Sequence, residues 1–383
     1  MTTPSLLARK PLNKDLFYMA IALLSSKRSK DPSTRVGATI VKDDRIIGIG
    51  YNGFPKGICD SKLPWSKDNT KPFHEQKYPY SHHAEMNATT NRTTEDVRGA
   101  KIYTTLHPCD RCSPILSQYG ISEVYYNLNQ YEGTELFDKA KNWLKQSGVK
   151  VKKIQTITQD KYSLITPIAD MFHSLLSGVK SERIIHPGEI YLDLSFGHTD
   201  ITPHDPTANG RVKNPDENPH YISWNSYFMG IAQLARQRSK DPTIQEGACL
   251  VSPDKRVIGI GYNAPPSNYP TRLVNWGLAP THPSRNIVMS AAINALANAP
   301  ARPDGSTLYV THKPNHMDTK MLIPEGVEKI VYGHELEGEQ YLASQKMIDE
   351  STVTLSQFEP DLDHIVLNLS GIENEHKVNV ASY

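Results

Sequence analysis

Apolar residues recur at helical spacing across 14–27, at Leu16, Met19, Ala20, Leu23 and Leu24, which predicts a helix that Asp31-Pro32 stops. Two β-rich runs follow, 36–41 and 46–50, parted by the polar turn Lys42-Asp43-Asp44-Arg45, and together they read as a hairpin. Further on, the pattern predicts helices over 84–90, 109–119 and 135–147, and strands over 101–106, 123–127 and 149–154. Strands alternating with helices predict an α/β domain whose helices cover a sheet.

The pattern then repeats. YMAIALLSSKRSKDP (18–32) aligns with FMGIAQLARQRSKDP (228–242), and VGATIVKDDRIIGIGYNG (36–53) with EGACLVSPDKRVIGIGYNA (246–264). KIYTTLHPCDRC (101–112) aligns with TLYVTHKPNHMD (307–318), and GISEVYYN (120–127) with GVEKIVYG (326–333). The order is kept and the offset drifts only by small insertions, so the chain is a tandem duplication. The expected domains are 11–155 and 221–358. Residues 156–220, rich in Pro, Asp, Asn, His and Gly, are expected to be linker and surface loop with a short helix near Met171–Leu176, and 359–383 a tail.

Composition narrows the function classes. With 42 Lys+Arg against 41 Asp+Glu the net charge is +1, so no global attraction to a nucleic acid is expected. A local basic pocket for one phosphorylated small molecule stays open. The four cysteines, Cys59, Cys109, Cys112 and Cys249, do not form a disulfide framework. A reducing compartment follows, the cytoplasm or the nucleus. No signal peptide is expected, and no apolar run approaches the roughly 18 residues of a membrane span.

Chemistry enters at His83-Ala84-Glu85 and at Pro108-Cys109-Asp110-Arg111-Cys112. A catalytic zinc takes three protein ligands and leaves one position open. Cys109 and Cys112, with two residues between them on a loop entering a helix, supply two thiolates that the helix start favours. His83 supplies the imidazole. Glu85 is left free to carry protons, as general base and then general acid. H-x-E followed by P-C-x-x-C is the signature of zinc-dependent base deaminases. The neighbouring His82 is expected to be a wall or surface residue, and Cys249 a core residue.

These residues resemble the deoxycytidylate (dCMP) deaminase family of the zinc-dependent cytidine deaminase superfamily. The resemblance covers most of 14–152. It rests on Arg28-Ser29-Lys30-Asp31-Pro32, Val36-Gly37-Ala38, residues 48–53 (GIGYNG), Lys77-Tyr78-Pro79-Tyr80, residues 83–88 (HAEMNA) and the Pro-Cys-x-x-Cys run. The two-domain layout is similar to that of cytidine and dCMP deaminase domain-containing proteins, except that here the N-terminal copy keeps the zinc motif. The resemblance implies two tandem three-layer α/β/α domains of the cytidine deaminase type, each with a mixed central sheet. It implies hydrolytic deamination of dCMP to dUMP and ammonia for pyrimidine nucleotide supply. Deamination of dCTP, deamination of a base in a polynucleotide, and non-catalytic nucleotide sensing are the alternatives. It also implies that Asn52 hydrogen-bonds the nucleoside and that the backbone at Ala84 reads the base edge. Arg28, Ser29 and Lys30 make a chemically apt set for the substrate phosphate. Effectors dCTP and dTTP, with magnesium, and a homo-oligomer belong to the same expectation.

In the second copy, alignment by letters puts Asn286 at the place of His83, Val288 at Glu85, Asn315 at Cys109 and Asp318 at Cys112. That copy is expected to be catalytically silent. It retains Arg238, Ser239, Lys240 and Gly261-Tyr262-Asn263, so Arg238, Lys240 and Asn263 are candidates for a regulatory nucleotide site. A purely structural role for the same residues is the competing expectation.

Overall fold

The computed structural model describes residues 11–55, 58, 62–154, 191–195, 221–266, 269–276, 287–360 and 364–368. Helix α1 (Lys14–Ser26) starts at Asn13, whose side chain accepts from the amides of Asp15 and Leu16. Strands β1 (Gly37–Lys42) and β2 (Arg45–Tyr51) form the expected hairpin, turning through Asp43 and Asp44 at φ 50° and 60°. β1 also pairs antiparallel with β3 (Lys101–Leu106); β4 (Glu123–Leu128) and β5 (Lys150–Lys153) extend the sheet in parallel. The order β2-β1-β3-β4-β5 makes the sheet mixed.

Helices α2 (Ala84–Thr90), α3 (Cys112–Gln118) and α4 (Glu135–Gln146) cover one face of this sheet. Ala84, Ala88, Leu116 and Leu144 share a core with Ile40, Ile102 and Val124. The other face, through Val41, Tyr103 and Tyr125, packs on α1. The contact is close: a Cβ at Gly37 would lie 1.9 Å from the carbonyl oxygen of Ala22. Three layers result, as expected.

The second copy repeats the plan with α5 (Trp224–Arg236), β7 (Gly247–Val251), β8 (Val257–Tyr262), α6 (Ala291–Asn298), β9 (Ser306–His312), α7 (His316–Leu322), β10 (Val327–His334), α8 (Glu339–Asp349) and β11 (Thr354–Gln357). Its sheet order is β11-β10-β9-β7-β8. Cys249, on β7, is buried in the core.

The copies share one core built on α1 and α5, which explains why α1 is buried all round from Leu16 to Ser26 rather than along one stripe. Matching bonds cross the contact in both directions. The Leu12 amide donates to the Gln237 carbonyl at 2.9 Å, and the Ile222 amide to the Lys27 carbonyl at 3.2 Å. Arg28 donates to the Ile222 carbonyl, and Arg238 to the Leu12 carbonyl. These pairs make the arrangement a pseudo-twofold dimer within one chain.

Two strands correct the expectation of linker and tail. β6 (Tyr191–Ser195) lies inside 156–220 and pairs antiparallel with β12 (His364–Asn368), inside 359–383. Leu194, Ile365 and Leu367 are buried in the shared core, so these segments hold alternating apolar residues for a structural reason. The expected helix at Met171–Leu176 lies outside the described residues, as does Cys59. Among the described residues no helix is long and apolar enough to cross a membrane.

Candidate active site

His83 is the N-cap residue of α2, in extended conformation, yet its side chain caps nothing. Its Nδ1 instead lies 3.4 Å from Cys109 Sγ and 3.3 Å from Cys112 Sγ. Glycine places the helix: a Cβ at Gly50 would meet the Ala88 amide at 2.2 Å and the Ala84 carbonyl at 2.4 Å, so α2 lies directly on β2. The preceding loop is pinned where Gly53 and His82 pair through their backbones. His82 Nδ1 and Asn87 Oδ1 are 2.7 Å apart, and Asn87 Nδ2 donates to the Tyr51 carbonyl. His82 is therefore a strut of the loop.

Cys109 ends the loop after β3 and Cys112 opens α3; the Cys109 carbonyl accepts from the amide and the hydroxyl of Ser113. The three donor atoms of His83, Cys109 and Cys112 lie within 4.8 Å of one another. Tetrahedral zinc, with bonds of about 2.0–2.3 Å, needs neighbouring donors roughly 3.5 Å apart, so this nitrogen–sulfur–sulfur set fits the ion. The two thiols behave as a pair. A hydrogen bond from Cys112 holds Cys109 down to about 3, with His83 adding to the effect, while the Cys112 thiol is pushed up.

Glu85 is 4% exposed and stands next to this cluster, accepting from Cys112 Sγ at 3.6 Å. Burial pushes its carboxyl above the ordinary range. A buried acid that readily holds a proton, beside three donors that could hold a metal ion, has the chemistry of a proton carrier.

A family model for the cytidine and deoxycytidylate deaminase zinc-binding region matches residues 12–128 and again 222–334. The chain belongs to this family. It is a zinc-dependent deaminase, and His83, Cys109 and Cys112 form a cluster that could hold a metal ion. Among relatives, the deoxycytidylate deaminase of Mus musculus is 41% identical over 159 residues, spanning 41% of this chain and 86% of that protein. The probable deoxycytidylate deaminase of Drosophila melanogaster is 43% identical over 147 residues, 37% of this chain and 72% of that protein. A solved structure of the dCMP deaminase from cyanophage S-TIM5, in complex with dCMP and dUMP, is 33% identical and covers 36% of this chain and 93% of that one, at TM-score 0.29.

Arg28, Ser29 and Lys30, expected at the substrate phosphate, are held at the contact between the copies and in the turn after α1. Arg28 is 5% exposed and turned to the second copy, its guanidinium carbon 4.0 Å from the Trp224 ring centre. Lys30 Nζ lies 5.0 Å from the ring centre of Tyr221. Ser29 is buried and donates to the Asn52 carbonyl. Asn52 is committed as well: Nδ2 donates to Asp31 and to the Thr34 carbonyl, and Oδ1 accepts from the Val36 amide. The segment therefore builds the turn and the contact between copies. Spacing does not show which side of such a turn faces outward. One further participant is Lys77, which no spacing singles out. Buried and ion-paired to Asp31 at 2.5 Å, it ties the loop leading to His83 to that turn.

The backbone also corrects the register of the second copy. Ala264 pairs with Met289 as Gly53 pairs with His82, so Ser290, not Asn286, stands at the place of His83, and Ala292, not Val288, at that of Glu85. Asn286 lies outside the described residues. Asn315 and Asp318 do stand at the cysteine positions, and the replacements bond to one another. Ser290 donates to Asp318, Asp318 accepts from the Asn315 amide, and Asn315 caps α7. Ser290 also caps α6. Glu246 accepts from the Ala291 amide at 3.3 Å. Where the first copy leaves its helix uncapped by side chains, the second satisfies it internally.

Arg238, Lys240 and Asn263 line a cavity of about 370 Å³ that is completed by Trp276 and, from the first copy, by Lys14 and Arg45. Lys14 and Arg45 carry no sequence signal, because only the contact between copies brings them there.

Proposed function

We propose that the first copy deaminates dCMP to dUMP and ammonia with His83, Cys109 and Cys112 as zinc ligands and Glu85 as the proton carrier. The observation that carries this reading is the convergence of those three donors beside a buried acid at the start of α2. The names of the relatives, deoxycytidylate deaminases, support the substrate. Zinc bound there would supply the Lewis acidity that makes water a nucleophile near neutral pH. Glu85 takes the proton released as water adds to C4 of the cytosine ring and delivers it to N3. It then moves the proton of the new C4 hydroxyl to the amine, so that the C4–N4 bond breaks, ammonia leaves and the C4–O bond formed from water becomes the carbonyl of dUMP. The uncapped start of α2, at Ala84, faces the base edge in this reading. The cytoplasm or nucleus supplies the setting.

The cavity at Arg238, Lys240 and Asn263 is the regulatory site of this reading, and its cations suit the phosphates of dCTP or dTTP, with magnesium. Further association of the chain into a homo-oligomer belongs to the same proposal.

Steady-state rates for dCMP, dCTP and deoxycytidine test the substrate. The expected result is a kcat/KM for dCMP at least tenfold above the other two, with dUMP formed. A preference for dCTP, or for the unphosphorylated nucleoside, overturns it.

A further inference from the structure

The two main sheets differ at one matching point. In the catalytic copy Leu106 of β3 pairs with Leu128 of β4 across the parallel ladder. In the silent copy the same register pairs His312 of β9 with His334 of β10. Ser26, which ends α1, has Arg236 as its counterpart at the end of α5. Two imidazoles and a guanidinium thus stand where the catalytic copy has two leucines and a serine.

The His312 and His334 ring centres are 5.3 Å apart, with their planes at 41°. A metal ion bonded to two imidazole nitrogens at about 2.0–2.1 Å holds the ring centres about 4.5–5.2 Å apart, for bond angles from square to tetrahedral. The pair therefore stands close to chelating distance. The Thr311 hydroxyl lies 3.0 Å from His312 Nδ1 and also accepts from the Gly247 amide. That contact fixes the ring and leaves Nε2 as the nitrogen for a ligand, as an outer partner orients a metal-bound histidine. His334 is exposed, so an ion can reach the pair from solvent.

Charge decides what the pair takes. Burial, then Arg236 and His334, push the His312 imidazole down to about 4, and burial and Arg236 push His334 down as well. Both rings are neutral near pH 7, with lone pairs free for a metal. Arg236 opposes any cation, but its Nη1 is bonded to Gln233 at 3.3 Å, and a chelated ion gains two bonds where a proton gains one. Lys313, next in the chain, is turned to Glu335 at 2.6 Å. Among the described residues no third His, Cys, Asp or Glu side chain closes the set. An ion held by two imidazoles alone must favour nitrogen strongly, and affinity rises through nickel to copper and falls at zinc.

We propose that His312 and His334 form a second metal site, an exchangeable one for copper(II) or nickel(II), where the silent copy's two central parallel strands end. The site lies on the strand that leads to Asn315, the residue standing where the catalytic copy has Cys109.

Calorimetric titration of the zinc-loaded full chain with nickel chloride at neutral pH tests this, nickel being chosen because copper(II) oxidises thiols. The parent is expected to take up one more equivalent of nickel than the His312→Leu/His334→Leu chain, which restores the leucine pair of the other copy. Each single exchange is expected to weaken that equivalent by about tenfold or more, with zinc content and dCMP turnover unchanged. His334→Gln serves if the leucine variants do not fold. Equal uptake by the parent and a folded variant overturns the site. Uptake that releases zinc one for one places the nickel at the catalytic centre and also overturns it.

Discussion

Glu85 and its neighbours are legible from sequence because the chemistry is local. His83 and Cys112 sit at helix starts, Cys109 lies three residues before the second of them, and H-x-E picks out Glu85 as the acid nearby. The surroundings of Arg28 and Lys30 are hidden from sequence for the opposite reason. Two cations and a hydroxyl suit a phosphate, but the aromatic rings that cover them lie about 190 residues away in the chain. Exchange of Glu85 for Gln separates proton transfer from metal binding. The variant is expected to lose roughly 10²–10⁴-fold in kcat, the usual share of general acid–base catalysis, while atomic spectroscopy still finds one zinc per chain. A zinc-free variant would make Glu85 a metal ligand rather than a proton carrier.

At the scale of elements, α2 and α6 show how a site is retired. The loop from Gly53 to His82 spans 29 positions and that from Ala264 to Met289 spans 25, so matching letters across it slips the register. Only the backbone pairing resolves it. The strand entering the silent site carries Glu246 where the first copy has Val36, an apolar-to-acid exchange visible in the alignment. Burial, and then Asp318, raise its carboxyl from 4.5 to about 7. Asp241 pushes the same way, the Ala291 amide opposes, and Tyr341 also faces the pair. Between those two values the folded chain holds a proton that the unfolded chain has released. Stability from this group is therefore complete below about pH 4.5 and lost as pH rises through 7, by at most about 3 kcal/mol. Asp318, also raised by burial, acts in the same sense. Glu246→Gln is expected to raise Tm at pH 8 by several degrees and to change it little at pH 5. A uniform shift at both values would show that the carboxyl does not titrate in that interval.

The whole molecule is a dimer folded from one chain, and its duplication is plain from the repeated segments. The manner of joining is not, because Leu16 to Leu24 have the same composition whether a helix meets its own sheet or another domain. In the structure they do both. Residues 11–155 expressed alone should therefore expose the face of α1 that meets α5. The expected outcome is aggregation or strong binding of an apolar dye, measured by light scattering and fluorescence. A monodisperse, active fragment would show that the copies are independent.

The β6–β12 pairing gives this dependence a timetable. Its second strand ends 214 residues after the last residue of the first copy at Ile154, counted to Asn368. At about 5–20 residues per second of synthesis, the clasp closes roughly 10–40 s after the catalytic half has left the ribosome. Until α5 has been made, 82 residues past Ile154, the nascent enzyme presents a large oily face with nothing to cover it, so its yield in a cell depends on holdase chaperones more than its final stability would suggest.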